Sequence, residues 1–134
     1  MTEEILILVR YRLERSRESL KEAKILLEHG HTNTFVNRLY YACFYAVSAL
    51  LLTKGLSSAK HSGVRLLFHQ NFLKPGTVDT KLGHLYDRLF DNRQKADYAD
   101  LLRFNLDEVS RWYGEAEEFV EFIEKIVKNE IGSN

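Results

Sequence analysis

The fold is decided by residues 34–54, which read TFVNRLYYACFYAVSALLLTK. One face of a helix through this segment carries apolar or aromatic side chains at steps of three or four: Val36, Tyr40, Cys43, Val47 and Leu50. More bulky apolar side chains lie on the other sides of the same helix: Tyr41, Phe44, Tyr45 and Leu52. A helix that is apolar on most sides predicts either the centre of a bundle or a face covered by another subunit.

Two long amphipathic segments flank this helix along the chain. The first runs from about Glu3 to about Glu28, and its apolar stripe consists of Leu6, Val9, Leu13, Ser16, Leu20, Ala23 and Leu27. The last runs from about Asp107 to about Asn129, with a matching stripe of Val109, Trp112, Ala116, Phe119, Ile123 and Ile126. Because both stripes need cover, we expect the two helices to pack together.

Shorter helices fill the middle of the chain. We expect one over about Ser62–Phe72 and another over about Asp79–Lys95, separated by the turn at Lys74-Pro75-Gly76. No useful strand alternation appears. The sequence therefore predicts an all-α, up-and-down antiparallel bundle of four to five helices, formed by residues 1–134 as a single domain with the last few residues disordered.

Composition limits the classes of function. Lysine and arginine total 19 and are balanced by 19 acidic residues, so no overall field recruits nucleic acid or an anionic membrane. The single cysteine, Cys43, lies in an apolar stretch and cannot form an intramolecular disulfide, which fits a reducing compartment. No apolar run approaches transmembrane length, and we expect a cytoplasmic protein without a membrane partner.

Arg93 is the charged residue whose position is hardest to explain as surface. The helix face that carries Leu82, Tyr86 and Leu89 reaches Arg93 four residues later. A guanidinium on a core-facing stripe must be solvated or paired. An ion pair with Asp97 at i+4 is the simplest structural explanation.

Polar groups also interrupt the central helix. Asn37, Tyr41 and Tyr45 are four residues apart and share a face, and Arg38 lies beside it. Such a face is typical either of a core helix whose phenols reach the surface or of the lining of an interface or cleft.

A third candidate cluster is weak. His61, Arg65 and His69 share a helix face, but no second helix completes a metal-ligand set, so surface histidines are the favoured interpretation and no metal site is predicted. The sequence contains no glycine-rich phosphate loop and no recognisable nucleophile and base pair.

Three separated motifs together resemble the UPF0332 branch of the HEPN family. They are NRLYYACFYA at residues 37–46, KHSGV at residues 60–64 and RQKADY at residues 93–98, in the family's order and followed by a long closing helix. The resemblance covers nearly the whole chain. It implies a bundle of four to five helices and a homodimer formed through the face that bears the motifs.

The same resemblance implies a functional context. Many HEPN proteins are metal-independent ribonucleases in which an arginine is followed, after four to six residues, by a histidine. Many are encoded beside a minimal nucleotidyltransferase as a toxin and antitoxin pair. Here Arg93 fills the arginine position, whereas Tyr98 stands at the histidine position. A phenol with a reference pKa of about 10 is a poor general base near neutral pH.

Three hypotheses follow. The favoured one is a homodimeric HEPN-like module with a degenerate ribonuclease motif that needs no cofactor. It would bind a minimal nucleotidyltransferase, a nucleotide or RNA through a cleft formed by Arg93, Tyr98, Asn37, Arg38, Tyr41 and Tyr45. The alternative is an active metal-independent endoribonuclease toxin in which Asp97 or Tyr98 replaces the histidine. The last is a helical scaffold without a ligand.

Overall fold

Five α-helices form the chain in the computed structural model, which describes residues 1–98 and 103–132, except for the side chain of Tyr98. They are α1 (Glu3–Glu28), α2 (Thr32–Thr53), α3 (His61–Phe68), α4 (Thr80–Tyr98) and α5 (Leu106–Gly132). A π-helical turn, His69–Leu73, continues directly from α3. The described residues contain no strand, and the all-α prediction is confirmed.

Helix α2 is the centre of the bundle. It packs against α1, α3, α4 and α5, and its buried side chains point to all of these neighbours. Phe35, Leu39, Tyr40 and Leu50 are among its fully buried residues. Each large apolar side chain removed from water in this way contributes roughly 1.5–3 kcal/mol. The first of the two explanations for an all-round apolar helix, a central position, is therefore sufficient for most of α2.

The predicted stripes of α1 and α5 face the core. Val9, Leu20 and Ala23 of α1 are buried, as are Phe119 and Ile123 of α5. The two helices contact each other, but α1 packs most extensively along α2. A bidentate pair from Arg17 Nε and Nη2 to the Glu124 carboxylate, at 3.0 and 3.1 Å, fastens α1 to α5.

Helix ends differ modestly from the predicted ones. Helix α2 begins at Thr32 rather than Thr34, and α4 continues to Tyr98 rather than ending at Lys95. Gly30 and Gly55 follow α1 and α2 with φ of 75° and 71°, a conformation that glycine adopts without penalty. In both places the next amide reaches back to close the helix, for example Leu56 N to Leu51 O at 2.9 Å. The predicted disorder at the end of the chain concerns residues 133–134, which lie outside the described residues.

Helix α2 is also the one described helix whose length and composition would allow it to cross a membrane. The expectation that no apolar run approaches transmembrane length is therefore wrong for Thr32–Thr53. Of its most apolar window, 72% is buried inside the bundle, as expected for a core helix. We therefore assign the apolar character of α2 to packing.

Candidate functional site

Arg93 lies near the C-terminal end of α4, where the core-facing stripe of that helix reaches the surface. Only 11% of its side chain is exposed. Its guanidinium carbon lies 4.8 Å from the ring centre of Tyr40 on α2, a cation–π arrangement. The Nε atom is buried and has no hydrogen-bond partner among the described residues. A nearly buried cation with an unused donor is costly for stability unless a ligand or water completes it.

Asp97 is the counterion that the helical spacing predicted. Its Oδ2 lies 3.6 Å from Arg93 Nη1, which is long for a charge-assisted hydrogen bond. Its other oxygen accepts a weak hydrogen bond of 3.4 Å from Asn37 Nδ2. Asp97 therefore links α4 to α2, but it leaves the hydrogen-bonding capacity of Arg93 only partly used.

Asn37 extends this network along α2. Its amide oxygen accepts two hydrogen bonds from Arg38, from Nε at 3.2 Å and from Nη2 at 3.0 Å. Arg38 also lies over the Tyr41 ring at 4.9 Å and pairs with Glu22 of α1 at 3.5 Å. The guanidinium groups of Arg93 and Arg38 are thus linked through Asp97 and Asn37 by one long ion pair and a series of hydrogen bonds. A shallow depression of about 300 Å³ opens beside these side chains, lined by Asn33, Thr34, Asn37, Ala96 and Asp97.

The predicted residues are not all equally close to Arg93. The structure joins Asp97, Asn37, Arg38 and Tyr41 into one cluster. Tyr45 lies one helical turn further along α2, where its ring contacts Tyr41 at 5.9 Å and Arg15 of α1 lies over it at 5.3 Å. The side chain of Tyr98 lies outside the described residues, so its predicted role stays a prediction.

His61 belongs to the same site, although its spacing had indicated a surface histidine. It begins α3, and its ring packs against Phe44 at 4.4 Å between centres. Its Nδ1 lies 2.7 Å from the Tyr40 hydroxyl, on the aromatic ring that also supports Arg93. Desolvation, followed by the positive charge of Arg93, lowers the pKa of His61 below its ordinary value of 6.5.

Tyr40 therefore contacts both Arg93 and His61 at the centre of the cluster. Burial raises the pKa of its hydroxyl to about 12, so the phenol stays protonated at neutral pH. Its ring is fully buried against Tyr86 and Phe90 of α4. The phenol can hold the His61 ring in place without becoming charged.

A second charged cluster lies elsewhere along α4. His69 Nε2 is 2.9 Å from Asp87 Oδ1, and Arg65 reaches Asp87 and Asp91 at 3.8 and 3.6 Å. These side chains are all partly exposed. Within residues 1–98 and 103–132, no group of three potential metal ligands comes together.

Comparison with known proteins places the chain in a family. Residues 9–126 match the family described as the HEPN domain. A UPF0332 protein of Thermotoga maritima is 45% identical over 122 residues, which cover 91% of this chain and 92% of that protein. The protein named "Putative toxin MJ0605" of Methanocaldococcus jannaschii is 38% identical, covering 87% of this chain and 86% of its own length. A second protein of that organism, "Putative toxin MJ0142", is 34% identical over 72% of this chain and 65% of its own length.

Proposed function

This chain belongs to the HEPN domain family, in its UPF0332 branch. We propose that it is a toxin-like module that binds RNA through the surface formed by Arg93, Asn37, Arg38 and Tyr41. The observation that carries this proposal is the state of Arg93. Its guanidinium is almost buried, its central carbon lies 4.8 Å from the ring centre of Tyr40, and its Nε donor has no partner among the described residues. Guanidinium groups with free donors are well suited to phosphate oxygens.

The neighbours of Arg93 fit a phosphodiester ligand. Arg38 supplies a second positive charge at the end of the Asn37 network. Tyr41 and Phe44 are half-buried rings on the same helix, and aromatic surfaces of this kind can stack nucleobases. Asp97 opposes a phosphate by its charge, but its contacts to Arg93 and Asn37 are long and can be exchanged for the ligand. A local site can thus bind RNA on a chain with no net charge.

The proposal includes a homodimer and an antitoxin partner. The partly exposed ring of Tyr45, one helical turn beyond Tyr41 on α2, belongs to the face that a second copy would share, as the family resemblance implies. The names of the two Methanocaldococcus jannaschii relatives support a toxin role. A minimal nucleotidyltransferase is the antitoxin that we propose, on the strength of the family resemblance.

The enzyme alternative is a metal-independent endoribonuclease. With the base on α4, it requires Asp97 or Tyr98 to replace the missing histidine. The geometry disfavours Asp97 as a base, because both of its oxygens already face donors, Arg93 and Asn37. We therefore base the proposed function on binding alone.

The test compares RNA binding by the unmodified chain and by Arg93→Gln, using fluorescence anisotropy with a labelled single-stranded oligoribonucleotide in chelator-containing buffer. Losing a charge-assisted contact of about 1.5–3 kcal/mol raises Kd by roughly tenfold to a hundredfold. Arg88→Gln is the matched control, because Arg88 lies on the same helix but pairs with Glu115 of α5 at 3.2 Å.

Each result of this test has a definite meaning. Equal losses in the two variants would indicate non-specific charge attraction and contradict a site at Arg93. A chain that binds no RNA would favour the scaffold hypothesis. Measurement of molecular mass in solution tests the homodimer separately, and co-purification with a co-expressed minimal nucleotidyltransferase tests the partner.

A further inference from the structure

His61 has the surroundings of a functional histidine rather than a surface one. Its Nδ1 is engaged by the Tyr40 hydroxyl at 2.7 Å, and its ring is fixed between Phe44 and Tyr41, with ring centres at 4.4 and 5.7 Å. Its Nε2 makes no hydrogen bond within the part of the chain that the structure describes. A histidine that is oriented through one nitrogen and free at the other is arranged for proton exchange.

The position of His61 relative to Arg93 supports this reading. Both side chains rest on Tyr40: the guanidinium carbon of Arg93 lies 4.8 Å from its ring centre, and the His61 ring centre lies 5.6 Å from it. The charge of Arg93 also acts on the His61 imidazole, so the two groups lie within electrostatic range of each other, and we expect one phosphodiester to reach both. The two residues come from different helices, α4 and α3, so no spacing rule within one helix connects them.

We propose that His61 is the proton acceptor of this site, and that with it the module cleaves RNA by intramolecular transesterification. The inference rests on the proposed binding of an RNA phosphate at Arg93. It assigns the base to α3, in place of a residue that follows Arg93 on α4. Tyr40 is then a positioning residue, which accepts a hydrogen bond from Nδ1–H and leaves Nε2 with its lone pair.

The step balances without a metal or a cofactor. The 2′-hydroxyl of the ribose gives its proton to His61 Nε2 while its oxygen attacks the adjacent phosphorus. The phosphorus to 5′-oxygen bond breaks with its electron pair on the leaving oxygen, which takes a proton from water. The products are a 2′,3′-cyclic phosphate and a 5′-hydroxyl, and His61 returns its proton to solvent. Arg93 neutralises the charge that builds on the phosphoryl oxygens.

The charges around His61 favour this order of events. The titratable or charged groups near His61 are Tyr40 and Tyr41 on α2, Arg93 on α4, Lys60 just before His61 in the chain, and Arg65 one turn further along α3, whose charge also acts on Tyr40. Burial and Arg93 lower the pKa of His61, so the free site holds a neutral imidazole that can accept a proton. A bound phosphate offsets the Arg93 charge, which makes the imidazolium easier to form once the substrate is in place.

The experiment measures binding and cleavage separately, with the full chain in chelator-containing buffer. His61→Asn keeps a side chain that can hydrogen-bond to Tyr40 but cannot exchange a proton. We expect its cleavage rate to fall by about a hundredfold or more. Its Kd for an uncleavable 2′-deoxy strand should change by less than about a factor of three. His69→Asn is the matched control, and it should cleave like the unmodified chain.

The outcomes distinguish this inference from the proposed function. If the chain binds RNA at Arg93 but does not cleave it, or if His61→Asn cleaves at the normal rate, the inference is overturned and the binding function stands. Products with a 3′-hydroxyl end would also overturn it. If no RNA binds, the proposed function fails first, and the inference fails with it.

A second measurement is independent of the variant's folding. At RNA concentrations far below saturation, where the rate reports the free protein, cleavage by the unmodified chain should rise with pH through the pKa of His61, because the imidazolium cannot accept a proton. The midpoint should lie below the ordinary value of 6.5 and match the titration of the His61 ring followed by NMR. A rate profile with a different midpoint would contradict His61 as the base.

Discussion

Two charged clusters lie along α4, and they are built on opposite principles. Around Asp87, the side chains of Arg65 and His69 are 34% and 41% exposed, so water can complete their hydrogen bonds, and His69 Nε2 lies only 2.9 Å from Asp87 Oδ1. Around Arg93, the guanidinium is only 11% exposed, its nearest carboxylate oxygen is 3.6 Å away and its Nε has no partner among the described residues. The comparison teaches that charge density alone does not indicate a site. Incomplete satisfaction of a buried charge does.

The largest difference between the two clusters should be in how much a supporting side chain contributes to the free energy of unfolding. Tyr40→Ala removes a fully buried ring that contacts Tyr86 and Phe90 and supports both Arg93 and His61. We expect a loss of about 3–5 kcal/mol in the free energy of unfolding, measured with urea. His69→Ala, in the exposed cluster, should change it by less than about 0.5–1 kcal/mol. Similar losses in both variants would contradict the distinction between the clusters.

In the free protein, Arg93 should lower the free energy of unfolding, although RNA binding requires it. Arg93→Met keeps the stacking on Tyr40 and removes a poorly paired cation, so we expect unfolding free energy to rise by about 1 kcal/mol while RNA binding is lost. Arg65→Met in the other cluster should leave RNA binding intact and give no such gain. Thermal and urea unfolding measure the first effect, and anisotropy measures the second. A destabilised Arg93→Met would mean that Arg93 is a structural residue.

Stability should depend on pH through His61 in the Arg93 cluster. The pKa of His61 is lower in the folded state than in the unfolded state, so the unfolded chain takes up protons first as pH falls. Its contribution is therefore fully present above the unfolded value of 6.5 and is lost progressively below it. When unfolding free energy is measured with urea at neutral and mildly acidic pH, its decrease with falling pH should have a shallower slope in His61→Asn than in the unmodified chain. An unchanged slope would argue against a desolvated imidazole beside Arg93.

The smallest effects concern the two aspartates. Asp97→Asn removes a long contact, so unfolding free energy should change by only a few tenths of a kcal/mol. RNA should bind a few times more tightly, because a carboxylate that repels phosphate is gone. Asp87→Asn loses its pairs with Arg65 and His69, yet RNA affinity should stay the same. Weaker RNA binding by Asp97→Asn would instead show that the carboxylate organises the cleft.

The helices could be predicted from local sequence patterns, because helix formation depends on residues a few positions apart. The apolar stripes of α1 and α5 follow from steps of three and four, and the ends of α1 and α2 follow from Gly30 and Gly55. The start of α2 and the end of α4 were displaced by two or three residues, since helix ends depend on weak capping preferences. The π-helical turn at His69–Leu73 had no signal in the sequence.

Helical periodicity predicted only part of the candidate site. Periodicity placed Arg93 on the core-facing stripe and predicted its ion pair with Asp97, since both facts concern one helix. It also put Asn37 and Tyr41 on one face of α2. It did not predict the contact of His61 with Tyr40, because the spacing to Arg65 and His69 described only the helix that carries His61. The motif KHSGV and a buried phenol at Tyr40 in need of a partner were the available signals.

The sequence by itself thus determined which segments are helical, which faces are buried and where one arginine enters the core. Hydrogen bonds and side-chain periodicity within a helix involve neighbours a few residues apart, so the order of residues is enough to specify them. Only the tertiary structure decided that Tyr40, His61 and Arg93 meet. That meeting depends on how α2, α3 and α4 pack against one another, and the contacts responsible join residues far apart in the chain.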